Sequence, residues 1–285
     1  MDFIKMQGAS NDFVMVDARK IECDWSQLAK VICDRHLGVG CDSLILLLPS
    51  KKAEFRMRIF NADGSEAETC GNGLRCLARY ILEKGLINPE IKEFRIETKA
   101  VINQVQIERK AGSLVRIQVS MGQPRLSAAE IPTNLKPGKD VIETNGMLSY
   151  KVIINKTDLL LNLVSMGNPH AVHFTRDPVA QFPLSLIGPQ VENLPVFPNR
   201  TNFEVAQVIN RNQIKARVWE RGVGETLACG SGACAITVAA KLLGYTDSKV
   251  DIILPGGVLD VEWDGNREVM LGGPAETVFE GKWLD

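Results

Sequence analysis

Two short segments, Cys70-Gly71-Asn72-Gly73 and Cys229-Gly230-Ser231-Gly232, each open an apolar helical stretch, and this repetition constrains the fold more than any other feature. Aligning the two cysteines also pairs Arg58 with Arg217, Glu66 with Glu225 and Gly85 with Gly244. Each half thus runs strand, acidic loop, Cys-Gly-x-Gly, apolar helix. From Gly73 to Glu83 the apolar residues Leu74, Leu77, Ile81 and Leu82 take helical spacing. From Ser231 to Leu243 nearly every residue is apolar or small, with Lys241 the one charge, which is the signature of a core helix. Short runs rich in Val, Ile and Phe surround them, among them Phe13–Asp17, Ser43–Leu48, Phe55–Phe60, Asn202–Ile209, Ile214–Trp219 and Val258–Trp263. Trp25–Arg35 is a third helical pattern. The expectation is an α+β chain in which a short helix threads a wrapping of strands, twice. The halves are expected at 1–145, carrying Cys70, and 146–285, carrying Cys229, with the C-terminal strand free to cross to the first half.

The position of the cysteines carries the chemistry. The first amides of a helix have no intrahelical partner and sum to roughly half a positive charge. Glycines there let an anion approach those amides. A cysteine in the same field is expected to have a lowered pKa. A free thiol near ~8.5 is about 3% thiolate at neutral pH, and one unit lower makes it roughly a quarter. Two helix N-termini suit a carboxylate, and two cysteines suit its α-carbon. One thiolate removes the α-hydrogen while the opposite thiol protonates the other face. A single base would return the proton to the side it left. Cys23, Cys33, Cys41, Cys76 and Cys234 read as small apolar filler.

Composition narrows the class. The chain has 285 residues, 45% hydrophobic and 24% charged, with a net charge of −1. No concentrated basic footprint points to nucleic acid or an anionic membrane. No apolar run reaches membrane-spanning length, and with no basic segment followed by an apolar one near Met1 no secretion signal is expected. The seven cysteines are therefore expected as reduced thiols in the cytoplasm. With no Cys-x-x-Cys pair and three histidines, of which His36 and His173 read as structural, no metal site and no cofactor are expected. Neither loop has the spacing of a nucleotide-binding motif. The partner expected is a small molecule, and a homodimer stays open.

These residues resemble the diaminopimelate epimerase family. The resemblance runs from Asn11-Asp-Phe-Val through Phe60-Asn-Ala-Asp-Gly-Ser-Glu and Thr69-Cys-Gly-Asn-Gly to Met166-Gly-Asn-Pro-His. It continues through Arg200-Thr-Asn and Trp219-Glu-Arg-Gly to Ala228-Cys-Gly-Ser-Gly-Ala-Cys-Ala. It implies two similar domains, each a β-barrel around a central helix, with the active site in the cleft between them. It also implies metal- and pyridoxal-independent interconversion of LL- and meso-diaminopimelate, a step toward lysine and peptidoglycan precursors. Cys70 and Cys229 would be the acid–base pair. The amides of Gly71, Asn72, Gly230 and Ser231 would hold the reacting carboxylate. Asn11, Asn61, Asn168, Asn202, Glu220 and Arg221 would hold amino groups and the distal carboxylate. His170 and Glu220 would orient or tune the cysteines. Read without the family, Asn61, Asn168 and Asn202 are also plausible turn residues, Arg221 a surface charge and His170 a core histidine.

The chain departs from the family pattern at Gln7, where a His is common, at Ser10, where a Gly stands, and at Ser43, where a Gln is often found. Two other readings stay open. One is a related cofactor-independent racemase acting on proline, hydroxyproline or histidine, which would not need a second carboxylate clamp. The other is a non-catalytic small-anion-binding protein using the two helix N-termini.

Overall fold

The computed structural model describes residues 1–110, 113–136 and 138–284, arranged as two compact units. The first comprises Met1–Ser120 with Gly272–Asp285 and the second Met121–Leu271. The division falls at 120/121 instead of 145/146 because the strands on either side of residue 145 pair with each other and with the next strand of the second unit.

The first unit contains β1 (Asp2–Gly8), β2 (Asn11–Asp17), α1 (Trp25–Ile32), β3 (Ser43–Leu48), β4 (Phe55–Asn61) and β5 (Glu66–Ala67). After these come α2 (Gly71–Glu83), β6 (Glu93–Glu97), β7 (Ile102–Lys110) and β8 (Ser113–Ser120). The second contains β9 (Val141–Thr144), β10 (Met147–Ile154), β11 (Thr157–Ser165), β12 (Pro169–Phe174), a 3-10 turn at Val179–Gln181 and α3 (Leu184–Glu192). It continues with β13 (Asn202–Asn210), β14 (Gln213–Glu220), β15 (Gly224–Thr226), α4 (Gly230–Leu242), β16 (Lys249–Leu254) and β17 (Gly257–Glu262). The short β18 (Met270–Gly272) begins in the second unit and runs to the first residue of the returning segment, and β19 (Glu276–Lys282) belongs to the first.

The two units share one topology. In the first, β1 and β2 form an antiparallel pair, β2 and β3 pair in parallel across α1, and β3 and β4 are antiparallel. In the second, β11–β12, β12–β13 across α3, and β13–β14 repeat those three steps. After the central helix, β6 pairs in parallel with β4, as β16 does with β14. The outer strand is where they differ in chain order. β10 precedes β11 and pairs with it, whereas its counterpart on β1 is β19, from the C-terminus. The α+β expectation of one helix wrapped by strands in each half therefore holds.

β2, β3, β12 and β13 are buried on both faces over most of their length, which is why they read as nearly unbroken apolar runs. On β3, Leu44 and Leu46 pack with Trp25, Ala29 and Ile32 of α1. On β13, Phe203 and Val205 pack with Leu184, Ile187 and Val191 of α3. By alternation, Ser43, Ile45 and Leu47 take the other face, toward α2, and Asn202, Glu204 and Ala206 that toward α4. Among the described residues no helix is long and apolar enough to cross a membrane.

Candidate active site

Both cysteines are helix N-caps with extended backbone, Cys70 at φ −152°, ψ 115° before α2 and Cys229 at φ −129°, ψ 116° before α4. An N-cap side chain normally offers an oxygen to the amide two or three residues on. Here sulfur takes that place. The Cys70 Sγ accepts from the Gly73 N–H at 3.4 Å, and the Cys229 Sγ from the Gly232 N–H at 3.4 Å. The second glycine of each loop also has a packing reason. A Cβ at Gly73 would stand 2.7 Å from Ile45 Cδ1, and one at Gly232 would stand 2.9 Å from Glu204 Oε1. The glycines let β3 and β13 press against the first helical turns.

In the first unit, Asn11 and Asn72 join Cys70. The Cys70 thiol donates to Asn11 Oδ1 at 3.8 Å, and Asn72 Nδ2 donates to the same oxygen at 3.4 Å. Asn11 Nδ2 donates to Asp42 Oδ2 at 2.6 Å, and Asn72 Oδ1 accepts from Arg75 at 2.8 Å. Asp42 and the neighbouring Asp12 share the Arg35 guanidinium. That guanidinium and Lys5 hold the Asp12 carboxyl well below the usual carboxylate range against the opposing effect of burial. Asn61 is apart from this cluster. It is exposed at the end of β4, and its Nδ2 donates to Ser65 Oγ at 3.0 Å within a tight turn.

In the second unit, Asn168, His170 and Ser231 converge on Cys229. Ser231 Oγ lies 3.5 Å from the Cys229 Sγ, and Asn168 Nδ2 donates to that hydroxyl oxygen at 3.3 Å. His170 Nε2 is 3.0 Å from Asn168 Oδ1. Asn202 is buried. It donates to the Pro169 carbonyl at 2.9 Å and accepts from the Arg221 backbone amide at 2.9 Å, so it supports both neighbours' backbones. The Glu220 carboxylate accepts from Thr226 Oγ1 at 2.6 Å. The half-buried Arg221 uses one guanidinium N–H on the Asn199 carbonyl at 2.8 Å.

One expectation is overturned. The lowered thiol pKa expected at a helix N-terminus does not hold at Cys229, which is pushed well above its ordinary value. Burial is the main cause, with the Glu220 and Glu204 carboxyls adding to it. The Ser231 hydroxyl and the Gly232 amide pull the other way without overcoming it. Cys229 is therefore a thiol at neutral pH, the form that donates a proton.

Two residues were missed in the sequence, Asp42 and Glu204. Glu204 is fully buried, and its Oε1 lies 2.7 Å from His170 Nδ1. Its signal was legible: a lone carboxyl in the apolar run of β13, two residues beyond Asn202 and therefore on the same face of the strand. The departures from the family pattern also have structural correlates. Ser10 sits at φ 64°, in the left-handed region that favours glycine, in the turn between β1 and β2. Gln7 donates to Glu276 at 2.7 Å, and Ser43 is buried. Among the described residues no group of three or more His, Cys, Asp or Glu is placed to hold a metal ion.

The fold is that of known amino-acid epimerases and their relatives. It matches a phenazine biosynthesis protein of the PhzF family from Bacillus anthracis with a TM-score of 0.70 at 18% identity, covering 100% of this chain and 99% of that one. It matches a hydroxyproline epimerase from Agrobacterium vitis with a TM-score of 0.67 at 15% identity, covering 99% and 91%. Sequence is more specific. The family model described as diaminopimelate epimerase matches residues 3–127 and 162–278. The diaminopimelate epimerase of Pelotomaculum thermopropionicum is 45% identical over 289 aligned positions, covering 99% of each chain. The chain belongs to the diaminopimelate epimerase family.

Proposed function

We propose that this chain is a cytoplasmic enzyme that interconverts LL- and meso-diaminopimelate, with Cys70 and Cys229 as proton acceptor and donor on opposite faces of one α-carbon. The observation that carries the reading is the twin N-cap geometry, in which each sulfur already accepts a backbone amide at 3.4 Å. That amide is a ready donor to a thiolate, and hydrogen bonds to a charged group are the stronger kind. Cys229, protonated by burial, starts as the donor when Cys70 abstracts, and the roles exchange in the reverse direction. Family membership and the matching topology of the two units support the same reading.

The reacting carboxylate is held by the amides of Gly71, Asn72, Gly230 and Ser231, at the two helix N-termini where unpaired N–H groups favour an anion. Preorganised donors of this kind are worth about 3–4 kcal/mol each as charge develops on the carboxylate. Asn11, Asn61, Asn168, Asn202, Glu220 and Arg221 take the amino groups and the distal carboxylate. His170 and Glu220 orient and tune the cysteines. Arg221 suits the distal carboxylate because its guanidinium has N–H donors beyond the one given to Asn199.

The test is turnover of LL-diaminopimelate by the purified protein, beside proline, hydroxyproline and histidine, for wild type and Arg221→Met. The expected outcome is activity on diaminopimelate alone. The variant should lose about 2–5 kcal/mol, tens- to thousands-fold in kcat/KM. Wild-type turnover of a single-carboxylate amino acid, or an unchanged Arg221→Met, would assign the clamp and substrate elsewhere.

A further inference from the structure

Glu204 and His170 are each fully buried, and Glu204 Oε2 is a buried oxygen with no hydrogen-bond partner. Packing does not require such a pair. At the corresponding registers of the first unit, where β2 runs parallel to β3 as β12 does to β13, the same two places hold Phe13 and Ile45. Ile45 meets Gly73 where Glu204 meets Gly232, and Phe13 and Ile45 are fully buried too.

The proton inventory follows from the contacts. Asn168 gives its Nδ2 to Ser231, so its Oδ1 faces His170 and the His170 Nε2 must carry a hydrogen. The Nδ1–Oε1 line to Glu204, 2.7 Å long, then holds one proton. On Nδ1 it would make an imidazolium beside a carboxylate with one buried oxygen bare. On Oε1 it leaves the bare Oε2 as a neutral carbonyl, which costs far less to bury. Burial raises the Glu204 pKa in the same sense, followed by the opposing pull of His170 and then a push from the Glu220 carboxylate.

We propose that Glu204 is a positioning residue for Cys229: as a buried neutral acid it donates to His170 Nδ1 and thereby fixes, through Asn168 and Ser231, a hydroxyl donor on the Cys229 sulfur. The directions as far as Ser231 are forced in sequence, and the last follows once Cys229 is a thiolate, which can only accept. Glu204 donates to His170, His170 Nε2–H to Asn168 Oδ1, and Asn168 Nδ2–H to Ser231 Oγ. Ser231 then keeps its own hydrogen for the sulfur 3.5 Å away. With the donor at 204 removed, the hydrogen of His170 can move to Nδ1. The ring then accepts from Asn168, whose amide turns and presents its oxygen to the Ser231 hydroxyl. Cys229 loses its donor and its thiolate becomes harder to form. The ionisable groups around this chain are His170 on β12, Glu204 on β13, Glu220 at the end of β14 and Cys229 before α4.

The inference rests on the proposed function only for its effect on turnover; the thiol and ring measurements need no substrate. In Glu204→Gln the amide can still donate to Nδ1, and in Glu204→Met the space is filled without a donor. The pH profile of iodoacetamide alkylation, resolved by peptide mapping, is read separately at Cys229 and Cys70. The Cys229 midpoint should stay within a few tenths of wild type in Glu204→Gln and rise by about one unit in Glu204→Met, as expected for losing a hydrogen bond to a charged group. The Cys70 profile should not move. The kcat/KM for diaminopimelate should fall about tenfold in Glu204→Met and be rescued in Glu204→Gln, the factor equivalent to one pKa unit. An unmoved Cys229 midpoint in Glu204→Met would make Glu204 mere filler, and a Glu204→Gln midpoint moved like that of Met would make its charge the working feature; either overturns the proposal. Should Glu204→Met not fold, nitrogen-15 spectra of the wild-type protein decide, with His36 and His173 variants for assignment. His170 should be neutral with its hydrogen on Nε2, and an imidazolium or an Nδ1–H ring would overturn the proposal.

Discussion

The face of β2 and β3 that meets α2 and the face of β12 and β13 that meets α4 are built on the same registers with opposite chemistry. The first presents Phe13 and Ile45, the second His170 and Glu204, all fully buried. The contrast extends to the strand ends, where Asn61 and Ala62 of the first unit correspond to Glu220 and Arg221 of the second. The shared part is what makes each loop work: the extended N-cap cysteine, the glycine that admits a strand against the helix, and the sulfur–amide contact. The unshared part is electrostatic. The second unit carries a buried acid, a histidine and a second carboxylate, and burial and the two carboxyls raise the Cys229 pKa, while in the first Cys70 and Asn72 both bond the Asn11 amide. Duplication explains a pair of N-cap cysteines; divergence explains why the pair need not titrate alike.

The largest test of the comparison removes one cysteine at a time. If the two loops act on opposite faces of one carbon, Cys70→Ala and Cys229→Ala should each lose epimerisation by orders of magnitude, since a single base returns the proton to the face it left. The remaining thiol still faces one side. Any residual exchange of the α-hydrogen with deuterated solvent should therefore favour one stereoisomer, and the preference should reverse between the variants. Stereoisomer-resolved mass spectrometry reads both. Near-normal inversion by either variant would break the equivalence of the loops.

A smaller effect asks whether the polar face can be turned back into the apolar one. His170→Phe alone strands the Glu204 acid without its acceptor and should destabilise the protein by about 1–3 kcal/mol. Adding Glu204→Ile restores the composition of the first unit, and replacing a buried polar pair with hydrocarbon is often neutral or stabilising by about 1–4 kcal/mol. Thermal melts of the single and double variants should therefore move in opposite directions, while diaminopimelate turnover stays impaired in both. A double variant less stable than the single one would show that the two faces are not interchangeable frames.

Much of this frame was legible in the sequence. The repeated Cys-Gly-x-Gly loops located α2 and α4 to within two residues at their N-termini, and Ser43–Leu48 was read at its observed limits. What escaped has physical reasons. β1 carries Lys5 in its buried stretch, where its ammonium bonds Asp12 of β2 at 2.6 Å and the Gly40 carbonyl, so the apolar run is broken by a charge whose partners only the fold brings to it. β19 is mostly exposed and acquires its strand character from pairing with β1. α3 contains Gly188-Pro189, residues that usually end helices, yet Gly188 is needed there: a Cβ would stand 2.6 Å from the Trp219 ring. The site residues escaped for a similar reason. Asp42 and Glu204 join the cysteine loops through hydrogen bonds to Asn11 and His170, and neither belongs to a contiguous motif.

The smallest test concerns a pair of ion pairs that the sequence alignment placed at equivalent positions. Arg58 grips Glu66 with two N–H groups at 2.8 and 3.0 Å, and Arg217 grips Glu225 with two at 2.8 and 2.9 Å. Taken alone, two such half-exposed pairs would be worth little, about 0–1 kcal/mol each. Arg217 has a second task. Its Nη1 donates to the Val179 carbonyl at 3.0 Å and the Phe182 carbonyl at 2.9 Å, tying the 3-10 turn to β14. Arg58 instead lies over the Phe60 ring at 4.7 Å. Losing Arg217 removes two hydrogen bonds, about 0.5–1.5 kcal/mol each, and leaves the Val179 and Phe182 carbonyls with only the Phe182 and Leu184 amides. Arg217→Met should therefore lower stability by about 1–2 kcal/mol more than Arg58→Met in denaturant titrations. Equal losses would mean that the backbone amides and water satisfy the carbonyls once the arginine is gone, and that the two ion pairs are equivalent in energy as well as in position.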